Sequence, residues 1–212
     1  MKLQQRILVG MLTLALGLGG VCAETLTPPV ESLNGLRPGT LTVPQVRERM
    51  NKAPDVTNDG GLLGMYGGAE NSRLYGWFLV ENPSYTVPDL AVETAKDSDR
   101  VDLVMAIGHD GLRTEKGVTC FMSAEEVTKA YGAPEFVFAV PMQGFLLREL
   151  YYPELGLSID IAPIGPSADL QVVAIYVTYP EYMRRAIELR RQYIKDGVGK
   201  DITSTYNGSR EA

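Results

Sequence analysis

Histidine and cysteine are almost missing from this chain. One histidine, His109, and two cysteines, Cys22 and Cys120, occur among 212 residues. A zinc centre built from His and Cys needs several ligands at close spacing, and a disulfide framework needs cysteines in pairs. The sequence offers neither. Nor does it hold a Gly-Lys-Ser/Thr phosphate loop; the glycines of DGGLLGMYGG (59–68) stand outside any βαβ context. Asp55, Asn58 and Asp59 lack the spacing and closing Glu of a calcium loop and read as a polar turn. No metal and no cofactor is expected. Basic residues are outnumbered, with 20 Lys and Arg against 26 Asp and Glu. That balance argues against nucleic acid as the partner and against adsorption to anionic lipid.

Long apolar runs are also lacking, except at the start. Lys2 and Arg6 precede an uncharged stretch, Ile7 to Gly20, and Val21-Cys22-Ala23 follows with small residues at the positions a signal peptidase reads. This is the pattern of a secretory signal peptide, residues 1–23, cleaved after Ala23. As a permanent span it is short of the roughly 20 apolar residues needed; an uncleaved anchor is the other reading. A lipid anchor on Cys22 is not expected, because Gly19 and Val21 occupy the positions where the lipoprotein signal wants a Leu-like and a small residue. The leader holds two of the 20 basic residues and none of the 26 acids, so the exported remainder has 18 basic and 26 acidic groups, a formal −8. It is an exported chain, periplasmic or extracellular, with no transmembrane segment after cleavage. It keeps one cysteine, Cys120, set in an apolar run and read as a small buried hydrophobe.

What is present is a theme stated twice. Residues 24–34 read as a flexible lead-in. LTVPQVRERMNKAPDV (41–56) and CFMSAEEVTKAYGAPEFV (120–137) each run apolar residue, helix start, Val, helical turn, then Ala-Pro-acid. Ser123 with Glu126 makes a capping box, Glu125 and Glu126 suit the helix dipole, and Gly132 and Pro134 end the helix. Pro44 suits a first helical position and Pro54 a stop. Strands are expected at 73–80, 100–108, 146–152, 156–162 and 170–180, with alternating apolar residues and Pro, Gly or Asp turns that imply antiparallel pairing. The domains are then a first helix-plus-meander repeat at 35–111, a second at 112–180, a C-terminal helix at 181–196 and a disordered tail at 197–212. In that helix Met183, Ala186, Ile187 and Ile194 form the apolar stripe; Arg184, Arg185, Arg190, Arg191 and Lys195 form the solvated face. The fold class is α+β, two tandem repeats of a short helix and an antiparallel meander, with the helices on one face of the sheet.

Gly117-Val118, Ser123-x-x-x-Val127, Tyr131-Gly132-x-Pro134, the tyrosine strand Leu150-Tyr151-Tyr152, Gly156-Leu157-Ser158-Ile159 and a Val/Ile strand ending in Pro180 together resemble a known repeat. It is that of secreted bacterial proteins with the β-lactamase-inhibitor-protein-like fold, and of the small outer-membrane assembly lipoproteins of the SmpA/OmlA type. The likeness covers 117–180 well and 36–108 loosely. It implies paired repeats with helices on one side of a sheet, and an open sheet face that binds another protein.

With Leu157, Ile159, Ile161, Val173, Ile175 and Val177 toward the helices, Asp160 and Tyr176 face away. Arg148, Tyr152, Tyr75 and Trp77 are assigned to the same outer face. Trp, Tyr and Arg on a wet sheet face have the composition of a binding hot spot. The expected function is a non-enzymatic protein-binding or envelope-scaffold module, uncertain as to catalysis but more a binder than an enzyme. Two alternatives stay open. One is a hydrolase using His109 with Cys120 or a carboxylate, although His109-Asp110 reads as a turn. The other is a small-ligand binder using the Gly-rich loop and Trp77.

Overall fold

The computed structural model describes residues 26–80, 86–142, 144–164 and 169–208; the expected signal peptide, 1–23, lies outside them. The fold is α+β: one nine-stranded antiparallel sheet and three helices. The elements are α1 (Val43–Met50), β1 (Val56–Asp59), β2 (Ser72–Trp77), β3 (Leu90–Ala95), β4 (Leu103–Ile107), α2 (Ala124–Tyr131), β5 (Phe136–Met142), β6 (Phe145–Tyr152), β7 (Leu157–Ile164), β8 (Asp169–Thr178), α3 (Pro180–Lys195) and β9 (Lys200–Asp201). Strand order is β1-β2-β3-β4-β8-β7-β6-β5-β9. Two meanders, β1 to β4 and β5 to β8, therefore meet edge to edge at the β4–β8 seam, where Met105 lies opposite Tyr176.

Local chemistry sets the two short helices. Both open on a capping box, Thr42 with Gln45 and Ser123 with Glu126. The Glu126 carboxylate accepts from the Ser123 N–H at 2.8 Å, and this backbone bond, followed by the Ser123 hydroxyl, holds its pKa below the usual carboxylate range. Gly132 at φ +78° ends α2. In α1 the stop is not Pro54 but Asn51, left-handed at φ 51°, and Pro44 stands one place inside the first helical residue. Asn tolerates that conformation because its short polar side chain lowers the steric penalty.

The sheet is buried on both faces. Val43 and Val46 of α1 and Ala124 and Val127 of α2 pack on one face, with Val92, Val104, Leu150, Ile159 and Ile175. On the other lie Met183, Ala186 and Ile187 of α3 with Leu103, Met105, Phe138, Tyr151 and Tyr176, joined by a 3-10 turn, Leu63–Tyr66. The expected wet face is covered there. Strand alternation in β4 reflects two apolar layers, Leu103 and Met105 against Val104 and Ala106, rather than one wet side. A register shift between Asp160 and Ile161 pairs Ile161 with Val172, so Val172 and not Val173 enters the core. A bulge of this kind inserts one unpaired residue and re-aims its neighbours.

Both ends of the described chain are structured. Leu33, in the segment expected to be a flexible lead-in, is fully buried. The segment expected to be a disordered tail carries β9, which pairs with β5, and Thr203, whose hydroxyl accepts from the Val137 N–H at 2.8 Å. Ile202 and Tyr206 pack against the α1/α2-side core. Among the described residues, no helix is long and apolar enough to cross a membrane.

Candidate functional site

The six residues assigned to one outer face separate into two groups. Trp77 is fully buried on the α1 side, and its indole N–H donates to the Lys52 carbonyl at 3.3 Å. Tyr75 is half-buried against the same core. Tyr152 lies there too, its ring 5.4 Å from that of Tyr131 and its hydroxyl donating to Gly132 O at 3.2 Å. Arg148, four residues before Tyr152 on the same strand face, is buried, and burial lowers its pKa. Only Asp160 and Tyr176 stand on the α3 face, together: the Tyr176 hydroxyl donates to Asp160 Oδ2 at 3.2 Å. The β6 residues were displaced by one position. Register pairs Glu149, not Arg148, with Asp160, and a one-residue slip turns every side chain to the opposite face.

Around Asp160 and Tyr176 the fold gathers a polar cluster inside an apolar layer. Arg190 of α3 is 2% exposed. Its Nε donates to Glu149 Oε2 at 2.6 Å, and Nη2 reaches Oε1 at 3.4 Å. The Tyr151 hydroxyl also donates to Glu149 Oε2, at 2.5 Å. Phe138 and Tyr193 stack near the guanidinium, at 5.8 and 5.7 Å. Tyr66 and Ser158 hydroxyls are hydrogen bonded at 3.0 Å. Arg190 Nη1 is buried and, among the described residues, has no hydrogen-bond partner. Beside these groups lies a pocket of about 150 Å³, lined by Leu62, Met65, Tyr66, Val140, Met142, Leu147, Glu149, Asp160, Tyr176 and Arg190.

Electrostatics fixes the protonation of this cluster. Burial, then the neighbouring Glu149 carboxylate, push the Asp160 pKa well above the usual carboxylate range; Arg190 and the Tyr176 hydroxyl oppose them and lose. The Asp160 carboxyl therefore holds its proton more tightly than an exposed carboxyl does. Burial works against the Arg190 charge, but Glu149 outweighs it and holds the guanidinium protonated. The Tyr66 and Tyr176 phenols are pushed up by burial and stay neutral.

The Gly-rich loop forms one wall. Leu62 and Leu63 N–H groups donate to the buried Glu93 carboxylate at 2.6 and 2.8 Å, an acceptor at the start of the 3-10 turn. A Cβ at Gly67, φ +71°, would lie 2.4 Å from the Arg185 Cβ, so glycine is what lets the loop close on α3. The Asp59 part of the loop is engaged elsewhere, by Arg73 at 3.0 Å and Lys96 at 3.1 Å.

His109 and Cys120 show a different arrangement. His109 Nδ1 accepts from the Gly111 N–H at 3.0 Å within its own turn. Burial pushes the Cys120 thiol up, and its Sγ lies 3.7 Å from the Val173 carbonyl. A thiol raised in this way is a poorer nucleophile at neutral pH. No group of three His, Cys, Asp or Glu is placed to share a metal among the described residues. A larger cleft of about 380 Å³ opens between Leu36, Met50, Leu79, Leu90 and Leu112. Its walls are mainly apolar and its cation Arg49 donates to Gly35 O at 2.9 Å, so convergent polar groups mark the smaller pocket instead.

Sequence reasoning missed Glu149, Arg190 and Tyr66. For Arg190 a signal existed. Met183, Ala186, Ile187 and position 190 follow the i, i+3, i+4, i+7 rule, which puts the arginine on the buried stripe. Compared with known proteins, the chain matches no family model, no curated protein and no solved structure.

Proposed function

We propose that this is an exported binding protein whose ligand site is the pocket between α3, the Leu63–Tyr66 turn and the sheet. The observation that carries the reading is the convergence of Glu149, Asp160, Tyr176 and Arg190 on one pocket of about 150 Å³ whose remaining walls are apolar. Leu62, Met65 and Met142 supply the apolar surface usual in small-molecule sites. A thermal-shift screen of small organic compounds tests it, run in parallel on the native chain and a pocket-filled Leu147→Trp variant. The expected result is a compound that raises the melting temperature of the first and not the second. A library that treats the two proteins alike contradicts the reading.

The two halves are copies of one building block in this account. The paired capping boxes, the equivalent buried positions Val46 and Val127, and the edge-to-edge meeting of two four-stranded meanders support it. Export with cleavage after Ala23 belongs to the same proposal. Amino-terminal sequencing of protein recovered outside the cytoplasm should begin at Glu24; a retained leader would contradict it.

A second reading, docking of a protein partner, is favoured by Phe121. This aromatic is 46% exposed and sits at φ 70°, in the left-handed region, where strain in a bulky residue often marks function. A photo-crosslinking analogue at position 121 should yield a discrete adduct with one envelope protein in intact cells. No adduct would remove this surface.

A further inference from the structure

The larger cleft, of about 380 Å³, lies on the α1 side of the sheet. Leu36, Leu90 and Leu112 line it and are buried in the core; Met50 and Leu79 are half-buried at its sides. Asn34 closes one wall. Its Nδ2 donates to Gly111 O at 3.3 Å and its Oδ1 accepts from the Arg113 N–H at 3.0 Å, so both ends of that amide are engaged by the protein. Arg49 is the one charged residue in the lining, and it is exposed. Its Nη1 donates to Gly35 O at 2.9 Å. Among the described residues, its Nε and Nη2 have no partner and no carboxylate pairs with it. The Nε/Nη2 edge is the one through which Arg190 holds Glu149, at 2.6 and 3.4 Å. That edge presents two parallel N–H groups, spaced to match the two oxygens of a carboxylate. A last-turn arginine suits the dipole of α1 at any point around the helix, which accounts for the charge of Arg49 but not for its place beside an apolar cleft.

We propose that this cleft is a second ligand site, separate from the α3 pocket, and that it binds a medium-chain carboxylate. The apolar tail lies against Leu36, Leu79, Leu90 and Leu112, and the head group accepts from the Nε/Nη2 edge of Arg49. Length follows from volume. A cavity of about 150 Å³ takes benzene, a molecule of about six heavy atoms. In proportion, about 380 Å³ takes roughly 10–15 heavy atoms, the size of octanoate to dodecanoate. The sign of the head group follows from Arg49, which repels an ammonium and gains a charge-assisted pair only from an anion. The chain carries its own reporter. Its single tryptophan, Trp77, is buried in the same core and stands opposite Leu90 in the β2–β3 pairing.

Probes of one chain length test this: octanoate, octylammonium and 1-octanol, with acetate as a head group without a tail. Binding to the intact chain is followed by ligand-observed NMR at submillimolar concentration, with Trp77 emission as a second readout. Octanoate should bind at least about tenfold more tightly than 1-octanol, the lower end of what a hydrogen bond to a charged group contributes. Octylammonium should bind more weakly than 1-octanol, and acetate should give no signal. Arg49→Gln should bring octanoate down to the level of 1-octanol, and Arg49→Glu should make octylammonium the preferred probe. Because Arg49 is exposed, both variants should keep the native denaturation midpoint. Leu147→Trp, which fills the α3 pocket, should leave octanoate binding by NMR unchanged. No octanoate binding, equal binding of octanoate and 1-octanol, or a native preference for octylammonium overturns the proposal and leaves the α3 pocket reading to its own thermal-shift test. An octanoate preference that survives Arg49→Gln, or is lost in Leu147→Trp, places the ligand elsewhere and overturns the assignment to this cleft.

Discussion

Arg190 and Glu149 form a buried ion pair, closed at 2.6 Å, in which neither charge is left alone. Removing the guanidinium alone strands Glu149, and truncating one partner of a buried pair costs about 3–5 kcal/mol. Arg190→Met should therefore destabilise by that amount in chemical denaturation, and Glu149→Gln added to it should recover most of the loss. Equal stability of single and double variants would mean that the pair is not the contact described. Asp160 brings a pH dependence of definite sign. Its folded pKa lies above its unfolded one, so between the two the folded state holds the extra proton. The stability tied to this group is full below the ordinary carboxylate range and is lost as pH rises through the raised value. Asp160→Asn keeps a neutral donor and should melt higher than the native chain at neutral pH, with the gap closing at acid pH. At this scale the sequence was half legible. Alternation placed Asp160 and Tyr176 on a shared face, away from α1 and α2. Trp77 was assigned outward because RLYGWFLV is apolar at every other parity too, so periodicity could not choose its face. Arg190 was hidden by a habit of reading arginine as solvated, although its spacing put it on the buried stripe.

Elements were more legible where they carry their own punctuation. Ser123, Glu126 and Gly132 fix α2 by local hydrogen bonds, so no tertiary information was needed. Ser123→Ala should cost about 1 kcal/mol in stability, read as a lowered denaturation midpoint; no change would argue that the box contributes nothing. Strands β1, β3 and β5 were not foreseen. VTND in β1 is polar and mostly exposed, and LAVETA in β3 is buried on both faces, including Glu93, for which pattern alone has no reading. Only the partner loop explains Glu93, since its carboxylate receives the Leu62 and Leu63 N–H groups. Two glycines of that loop make a controlled comparison. Gly60 has φ +84° with nothing within 4 Å of an added Cβ, whereas Gly67 has φ +71° and would meet Arg185. Gly60→Ala should cost roughly 1–2 kcal/mol from backbone strain, and Gly67→Ala roughly 1–3 kcal/mol more from the clash. Equal losses would mean that the loop does not press on α3 as described.

For the whole molecule, the central fact is that α1 and α2 cover one face of the sheet and α3 with the 3-10 turn covers the other. The α+β class and the C-terminal helix followed from periodicity, and antiparallel pairing followed from the turns. The side on which α3 packs did not, because a helix's stripe names its buried residues without naming the surface that buries them. The same holds for the tail, which is polar in sequence yet adds β9 to the sheet edge and seats Ile202 and Tyr206. Deleting residues 198–212 should lower stability by about 2–4 kcal/mol through lost apolar packing and an unpaired Val137 N–H; an unchanged melting temperature would mean that the tail is idle. What unites the account is a buried polar cluster lining the pocket under α3, and its most direct test is the carbon-13 titration of the Asp160 carboxyl by NMR. The account predicts that the protonated signal persists well above the ordinary carboxylate range. A carboxyl that loses its proton near its ordinary value of 3.8 would contradict it.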